Sequence, residues 1–146
     1  MKVVHGHLAN VHAALLRRGR SGRWFLTMDF AQLDIGAVLD EYDAVALDGL
    51  DFGVISMTHD GVIDRYNAHE AKLSGLPPAR VIGKHLFTEV APCTNNYLVA
   101  SRFEESAVLD ESIPYVFTLR MRPRNVELRL LKAQGSERQY LLVRNR

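Results

Sequence analysis

The sequence is poor in cysteine, in net charge and in long apolar runs, and each shortage excludes a class of protein. Its one cysteine, Cys93, excludes an internal disulfide and a zinc site built from several cysteines. Basic residues exceed acidic ones by only 18 to 17, so overall charge does not indicate binding to nucleic acid or to an anionic membrane. No apolar run approaches the roughly 20 residues that a membrane-spanning helix needs.

The composition is that of an ordinary globular domain. The chain has 146 residues, of which 47% are hydrophobic, and this is enough to bury a core. Its first residues lack the apolar stretch and the small-residue cleavage site of a secretory signal. We therefore expect a cytoplasmic protein, monomeric or weakly dimeric, that binds neither nucleic acid nor membrane.

Charge and composition change along the chain. Residues 1–28 carry five basic side chains and no acidic one, whereas residues 24–64 carry nine carboxylates and neither Lys nor Arg. We interpret 1–27 as a basic N-terminal extension, either loosely held or a mis-assigned start, 28–46 as an N-terminal cap and 47–146 as the main domain.

Apolar spacing predicts the elements of secondary structure. In the extension, a short helix is predicted over 8–16 and a break over 17–23; helical spacing of apolar residues recurs over 31–43. The main domain begins with two strands around Asp60 and Gly61, a typical hairpin turn. Three helices follow: one capped by Asn67 and ending near Gly75, one between Pro78 and Gly83, and one over 96–110, opened by Asn95 or Asn96 and carrying Val99, Phe103 and Ala107 on one stripe.

Alternating apolar residues predict three further strands. One begins at Ile113 and places Phe117, Leu119 and Met121 on the same face, and two more are joined by a turn at 134–137. Hairpins at both ends and helices between them indicate an α+β fold. We expect one antiparallel five-stranded sheet with helices on one face and an N-terminal helical cap.

Three residues stand out chemically, and each has an ordinary structural interpretation. Cys93 lies at or just before the start of the predicted 96–110 helix, where the helix dipole favours a reactive thiolate, although most lone cysteines are simply packed side chains. Glu70 follows Asn67 by three residues, so it can complete a capping box. Tyr66 ends a strand and can be a core aromatic, but Tyr66 and Glu70 could also converge on one polar atom of a ligand.

Other sites are not indicated. The six histidines do not show metal-ligand spacing, so we interpret them as surface or incidental residues and expect no metal. No base, nucleophile and oxyanion-binding set can be assembled, which argues against an enzyme.

Several blocks of the sequence resemble the photoactive yellow protein family, whose fold is that of the PAS sensors. They are LDGLDFG at 47–53, YNAHE at 66–70, VIGK at 81–84, VAPCT at 90–94, MRP at 121–123 and KA at 132–133. The resemblance covers about 47–144. The APCT block at a fixed distance from YNxxE is a specific combination, because a general PAS domain has no reason to keep these polar residues together.

The resemblance implies a site and a function. Cys93 would hold p-coumaric acid as a thioester, and Tyr66 and Glu70 would hydrogen-bond its phenolate oxygen, with Ser74 supporting Tyr66. Phe117 and Met121 would border the chromophore. The implied protein is a blue-light photoreceptor that signals by isomerisation, proton transfer from Glu70 and partial unfolding, to a downstream signalling protein that the sequence does not identify.

The sequence departs from the family at two positions of this site. Ser74 replaces a threonine, and its hydroxyl keeps the same hydrogen-bonding capacity. Leu76 replaces an arginine that shields the pocket, so a positive charge near the phenolate is lost. Two other hypotheses use the same fold: a PAS module that binds a small molecule or haem without photochemistry, and an interaction domain in which Cys93 is silent.

Overall fold

The computed structural model describes residues 28–118 and 122–146, together with the backbone of two short strands in the preceding segment. These strands, β1 (Leu16–Arg18) and β2 (Trp24–Leu26), pair in antiparallel fashion. The helix predicted over 8–16 lies outside the described residues except for Leu16, which begins β1. The break predicted over 17–23 is wrong at its first two positions, because backbone pairing with β2 makes Arg17 and Arg18 strand residues.

A five-stranded antiparallel sheet forms the centre of the domain, as predicted. In spatial order its strands are β4 (Ile63–Tyr66), β3 (Gly53–Thr58), β7 (Arg138–Asn145), β6 (Arg124–Lys132) and β5 (Leu109–Phe117). The last strand of the chain therefore lies in the middle. Leu141 of β7 is opposite Ile55 on one side and Leu130 on the other. All three side chains are buried in one apolar cluster, and the pairing of β7 with β3 joins the last strand of the domain to its first.

The cap packs on one face of the sheet. Its helices are α1 (Ile35–Glu41) and α2 (Ala44–Asp48), of which α2 runs across the boundary predicted between residues 46 and 47. Asp43 caps α2 by accepting a hydrogen bond from the Ala46 amide at 2.9 Å. Ile35 and Leu39 are fully buried against residues such as Val54 of β3. The next residue along β3, Ile55, belongs to the cluster on the opposite face, because successive strand side chains alternate.

Short helices and turns cover the other face. They are α3 (Ala68–Ser74), α4 (Pro78–Val81), a π-helical turn (Leu86–Val90), a 3-10 turn (Pro92–Thr94) and α5 (Ala100–Glu105). The turns at Gly61, Gly83 and Gly135 lie where they were predicted, each with a positive φ. None of the helices in the part of the chain that the structure describes has the length and apolar character required to cross a membrane.

The helix predicted over 96–110 is much shorter in the structure. Asn96 does open a helical turn, since its side chain accepts from the amides of Leu98 and Val99, but α5 itself spans only Ala100–Glu105. Val99 and Phe103 are buried as expected, whereas Ala107 is exposed. The chain instead turns into β5 four residues earlier than predicted. Pairing with β6 along its full length outweighs the helical preference of this segment.

Candidate functional site

Tyr66 and Ser74 form a buried hydroxyl pair. Tyr66 ends β4 with its side chain in the core, and its hydroxyl lies 2.7 Å from Ser74 Oγ at the end of α3. Ser74 Oγ also accepts the Leu76 amide at 3.1 Å. Burial raises the pKa of Tyr66, and the nearby Glu70 carboxylate raises it further, so this phenol stays protonated at neutral pH. The pair offers a fixed, neutral hydrogen-bonding group inside an apolar core.

Helix α3 directs Glu70 into the protein because its first turn is anchored by Asn67. The Asn67 side chain accepts from the Val54 and Glu70 amides and donates to the carbonyls of Leu47 and Phe52. The predicted cap is confirmed, but the capping box is wrong. The Asn67 amide donates to the Val54 carbonyl, so it does not need the Glu70 carboxylate, which faces elsewhere.

Glu70 is fully buried and ion-paired with Arg124 at the start of β6. Arg124 Nη2 lies 3.2 Å from Oε1 and 3.1 Å from Oε2. Burial raises the pKa of Glu70 to about 7, although the charge and hydrogen bonds of Arg124 oppose this rise. The carboxyl can therefore exchange a proton near neutral pH, as a group that stores or releases a proton must.

Sequence reasoning did not identify Arg124 as part of this site. The signal was present in the alternation of β6: Val126, Leu128 and Leu130 are buried on the inward face, and Arg124 continues that face two residues earlier. The guanidinium also lies over the ring of Phe117, 5.6 Å from its centroid. Phe117 is buried in the same core as Tyr66, so its predicted inward orientation is confirmed.

A cleft of about 290 Å³ opens beside the ion pair. It lies between the C-terminal end of α3 and the ends of β5 and β6. Its walls are formed by Lys72, Leu73, Ser74, Gly75, Phe117, Arg122, Pro123 and Arg124. Met121, which we expected to border the site, lies outside the described residues.

Cys93 lies half-buried in the 3-10 turn and packs on the same apolar cluster as Tyr66 and Phe117. Its carbonyl accepts from the Tyr115 hydroxyl at 2.5 Å and from the Asn96 side-chain amide at 3.1 Å, which holds the turn in place. The helix-dipole argument for this thiol is wrong. The intervening turn delays the start of α5 to Ala100, so Cys93 is not at its N-terminus.

Leu76, the departure from the family predicted to affect the site, is half-buried against the apolar cluster that contains Tyr66 and Cys93.

The histidines were predicted to be surface or incidental residues. His59 is exposed, but His85 has a structural role, because its Nδ1 accepts hydrogen bonds from the amides of Phe87 and Thr88 and so caps the π-helical turn. Within residues 28–118 and 122–146, the structure brings together no group of three side chains able to hold a metal ion.

The sheet order and the flanking helices define a PAS domain, and the family model described as PAS fold matches residues 41–143. Photoactive yellow proteins from Rhodothalassium salexigens and Halochromatium salexigens are each 33% identical over 118 residues, covering 79% of this chain and 94% of theirs. The photoactive yellow protein domain of the sensor histidine kinase Ppr from Rhodospirillum centenum superposes with a TM-score of 0.69. It is 39% identical over 75% of this chain and 98% of that domain. The chain belongs to the photoactive yellow protein family.

Proposed function

We propose that the protein is a blue-light receptor with p-coumaric acid bound as a thioester to Cys93. The observation that carries this proposal is the fully buried Glu70 beside the Tyr66–Ser74 pair. Burial of an acid is costly, and the fold keeps it next to a buried phenol in the core on which Cys93 packs. Such an arrangement suits a ligand with one ionisable oxygen.

The residues present fit this chromophore chemically. Cys93 supplies the one thiol of the chain, on a turn held by Tyr115 and Asn96. Its sulfur would form the bond to the acyl carbon of an activated p-coumarate, while the activating group leaves and the thiol proton passes to solvent. When bound, the chromophore supplies blue absorption and a double bond that light isomerises. Phe117 and Leu76 line the apolar surroundings that keep water away.

Glu70 is the proposed proton donor of the light response. A protonated carboxyl in this position donates a strong hydrogen bond to an anionic oxygen. After it has lost its proton, Glu70 is a carboxylate with no exposed surface. As long as the bound chromophore keeps Arg124 away from Glu70, this charge has no partner and costs on the order of 3–5 kcal/mol, a large share of the stability of a small domain. The folded state is thereby weakened, and the resulting change is the signal passed to a downstream signalling protein.

Reconstitution with an activated p-coumarate tests the proposal. The wild-type protein should become yellow and gain the mass of one coumaroyl group, and Cys93→Ala should gain none while keeping the same circular dichroism. An adduct of equal yield on Cys93→Ala contradicts the assignment. Non-covalent binding of a small molecule or haem by both forms, without a light response, would instead support a PAS binding module.

A further inference from the structure

Arg124 lines the cleft, and its ion pair with Glu70 has no counterpart among the residues that the sequence resemblance implied. Both carboxylate oxygens of Glu70 are bonded to the same nitrogen, Nη2 of Arg124. The other side of Oε1 is closed by the backbone of β3: a Cβ built on Gly53 would lie 2.3 Å from it. Arg124 lines the cleft whereas Glu70 does not, so a ligand oxygen that approaches Glu70 from the cleft meets the guanidinium first and has to displace it.

Among the described residues, Arg124 forms its ion pair with Glu70 alone. The structure assigns it no other carboxylate among the described residues, and its Nε and Nη1 are buried without a hydrogen-bond partner there. Its remaining contact is the face of Phe117. The guanidinium is mostly buried, with 18% of its side chain exposed, so solvent screens its charge only weakly.

We propose that Arg124 is a positioning residue that favours the carboxylate form of Glu70 in the ligand-free protein, and that entry of a phenolic ligand separates the pair and shifts Glu70 to its protonated form. The second half rests on the proposed function, because it concerns the chromophore. A carboxylate only accepts hydrogen bonds, so Glu70 must bind a proton before it can donate to an anionic ligand oxygen. That proton comes from solvent, and the displaced guanidinium keeps its own charge.

The other titratable groups around Glu70 do not contact its carboxylate as Arg124 does. Tyr66 faces it from β4, and its phenol is neutral at physiological pH. On α3 itself, Lys72 is exposed and His69 is half-buried, and Asp51 precedes β3 near His69. None of these side chains makes a hydrogen bond to the Glu70 carboxylate among the described contacts, whereas Arg124 makes two.

The first test uses the ligand-free protein, so it does not depend on the chromophore. The carboxyl stretch of Glu70, identified by its loss in Glu70→Gln, is titrated by infrared spectroscopy. Arg124→Gln should raise the pKa of Glu70 by about one to three units, as loss of a neighbouring opposite charge does, and Arg124→Lys should restore much of the difference. Arg122→Gln, an exposed charge at the rim of the same cleft, should leave this pKa within a few tenths. An unchanged pKa in folded Arg124→Gln overturns the proposal.

A measurement on the wild-type side chain covers the case in which Arg124→Gln does not fold. The guanidinium NMR signals of Arg124 should change with pH at the midpoint of the Glu70 titration, and this change should be absent in Glu70→Gln. If the guanidinium signals of Arg124 do not change over the pH range in which Glu70 titrates, the proposal is overturned as well.

The second test follows proton uptake during reaction with activated p-coumarate, with the proton released by thioester formation measured on a small thiol and subtracted. At a pH well above the Glu70 pKa of about 7, the wild-type protein should take up nearly one proton per adduct formed. Arg124→Gln should take up less than this, because its Glu70 is already partly protonated before the reaction. Equal uptake by both contradicts the coupling. Failure to form any adduct contradicts the proposed function and leaves the titration result standing.

Discussion

Arg129 of β6 and Asp110 of β5 form a two-point ion pair across the sheet, with Nε–Oδ1 and Nη2–Oδ2 distances of 2.9 Å. The remaining nitrogen, Nη1, donates to the carbonyls of Phe30 at 2.7 Å and Gln32 at 2.8 Å. These carbonyls belong to the segment that leads into α1. One buried guanidinium thus joins the edge of the sheet to the N-terminal cap.

Replacement of Arg129 should loosen the cap. Arg129→Met removes four hydrogen bonds and leaves the Phe30 carbonyl without its donor, so we expect a loss of about 2–4 kcal/mol in the free energy of unfolding. Hydrogen exchange should become faster over 28–48 before it does elsewhere. Arg102→Met is the matched control, because its ion pair with Glu111 is largely exposed and should contribute no more than about 1 kcal/mol. Equal losses in the two variants would contradict a special role for Arg129.

The stability of the ligand-free protein should fall as pH rises through the Glu70 titration. The folded-state pKa of about 7 lies above the ordinary value of 4.5, so the folded state binds more protons between these values. Stability attributable to Glu70 is then present below pH 4.5 and lost as pH rises to about 7, by at most about 3 kcal/mol. Denaturant unfolding of the wild type and Glu70→Gln across this range measures it. A stability difference between the two that is independent of pH would contradict the prediction.

Glu70→Gln should change the colour of the reconstituted protein without preventing its formation. An amide is a weaker donor than a carboxylic acid, so it stabilises the ground-state phenolate less and the absorption maximum moves to the red. The photocycle rate should also change, since an amide has no proton to release. Absorption spectra and flash photolysis check both effects. A spectrum and a rate equal to those of the wild type would leave Glu70 as a buried structural acid.

Leu76→Arg should lower the pKa of the bound phenolate. Leu76 is half-buried beside the apolar cluster, and a guanidinium there adds positive charge near the anion. Absorbance titration of the two forms, side by side, measures the difference. A lower phenolate pKa in the wild type would mean that a cation already present, for which Arg124 is the best placed, dominates the site.

Deletion of residues 1–27 should leave the melting temperature, the colour and the photocycle of the reconstituted protein unchanged. The family model begins at residue 41, downstream of the deleted segment. We therefore expect this extension to add little stability. A large loss of stability, or a photocycle uncoupled from the cap, would make the extension part of the switch.

The strand pattern and the turns could be predicted from the sequence because period-2 alternation and Asp-Gly or Gly-Ser steps are local signals. The end of α5 could not, because the competing force was pairing of residues near 109–112 with β6, a contact distant in sequence. The site could be predicted only where its residues are close in sequence. Asn67 and Glu70 share one helix, but the partner of Glu70 comes from a strand 54 residues later.

The side chain of Asn67 makes four hydrogen bonds and connects the N-terminal cap to helix α3. Through the Leu47 carbonyl it holds the end of α2 in the cap, and through the Glu70 amide it holds the first turn of the helix that carries the buried acid. If unwinding of that first turn displaces Asn67, the carbonyls of Leu47 and Phe52 lose the hydrogen bonds from its side chain in the same event. Under the proposed function, a charge created at Glu70 would therefore act on a helix whose first turn shares the Asn67 side chain with the cap, so that unwinding of this turn removes one of the contacts that hold the cap.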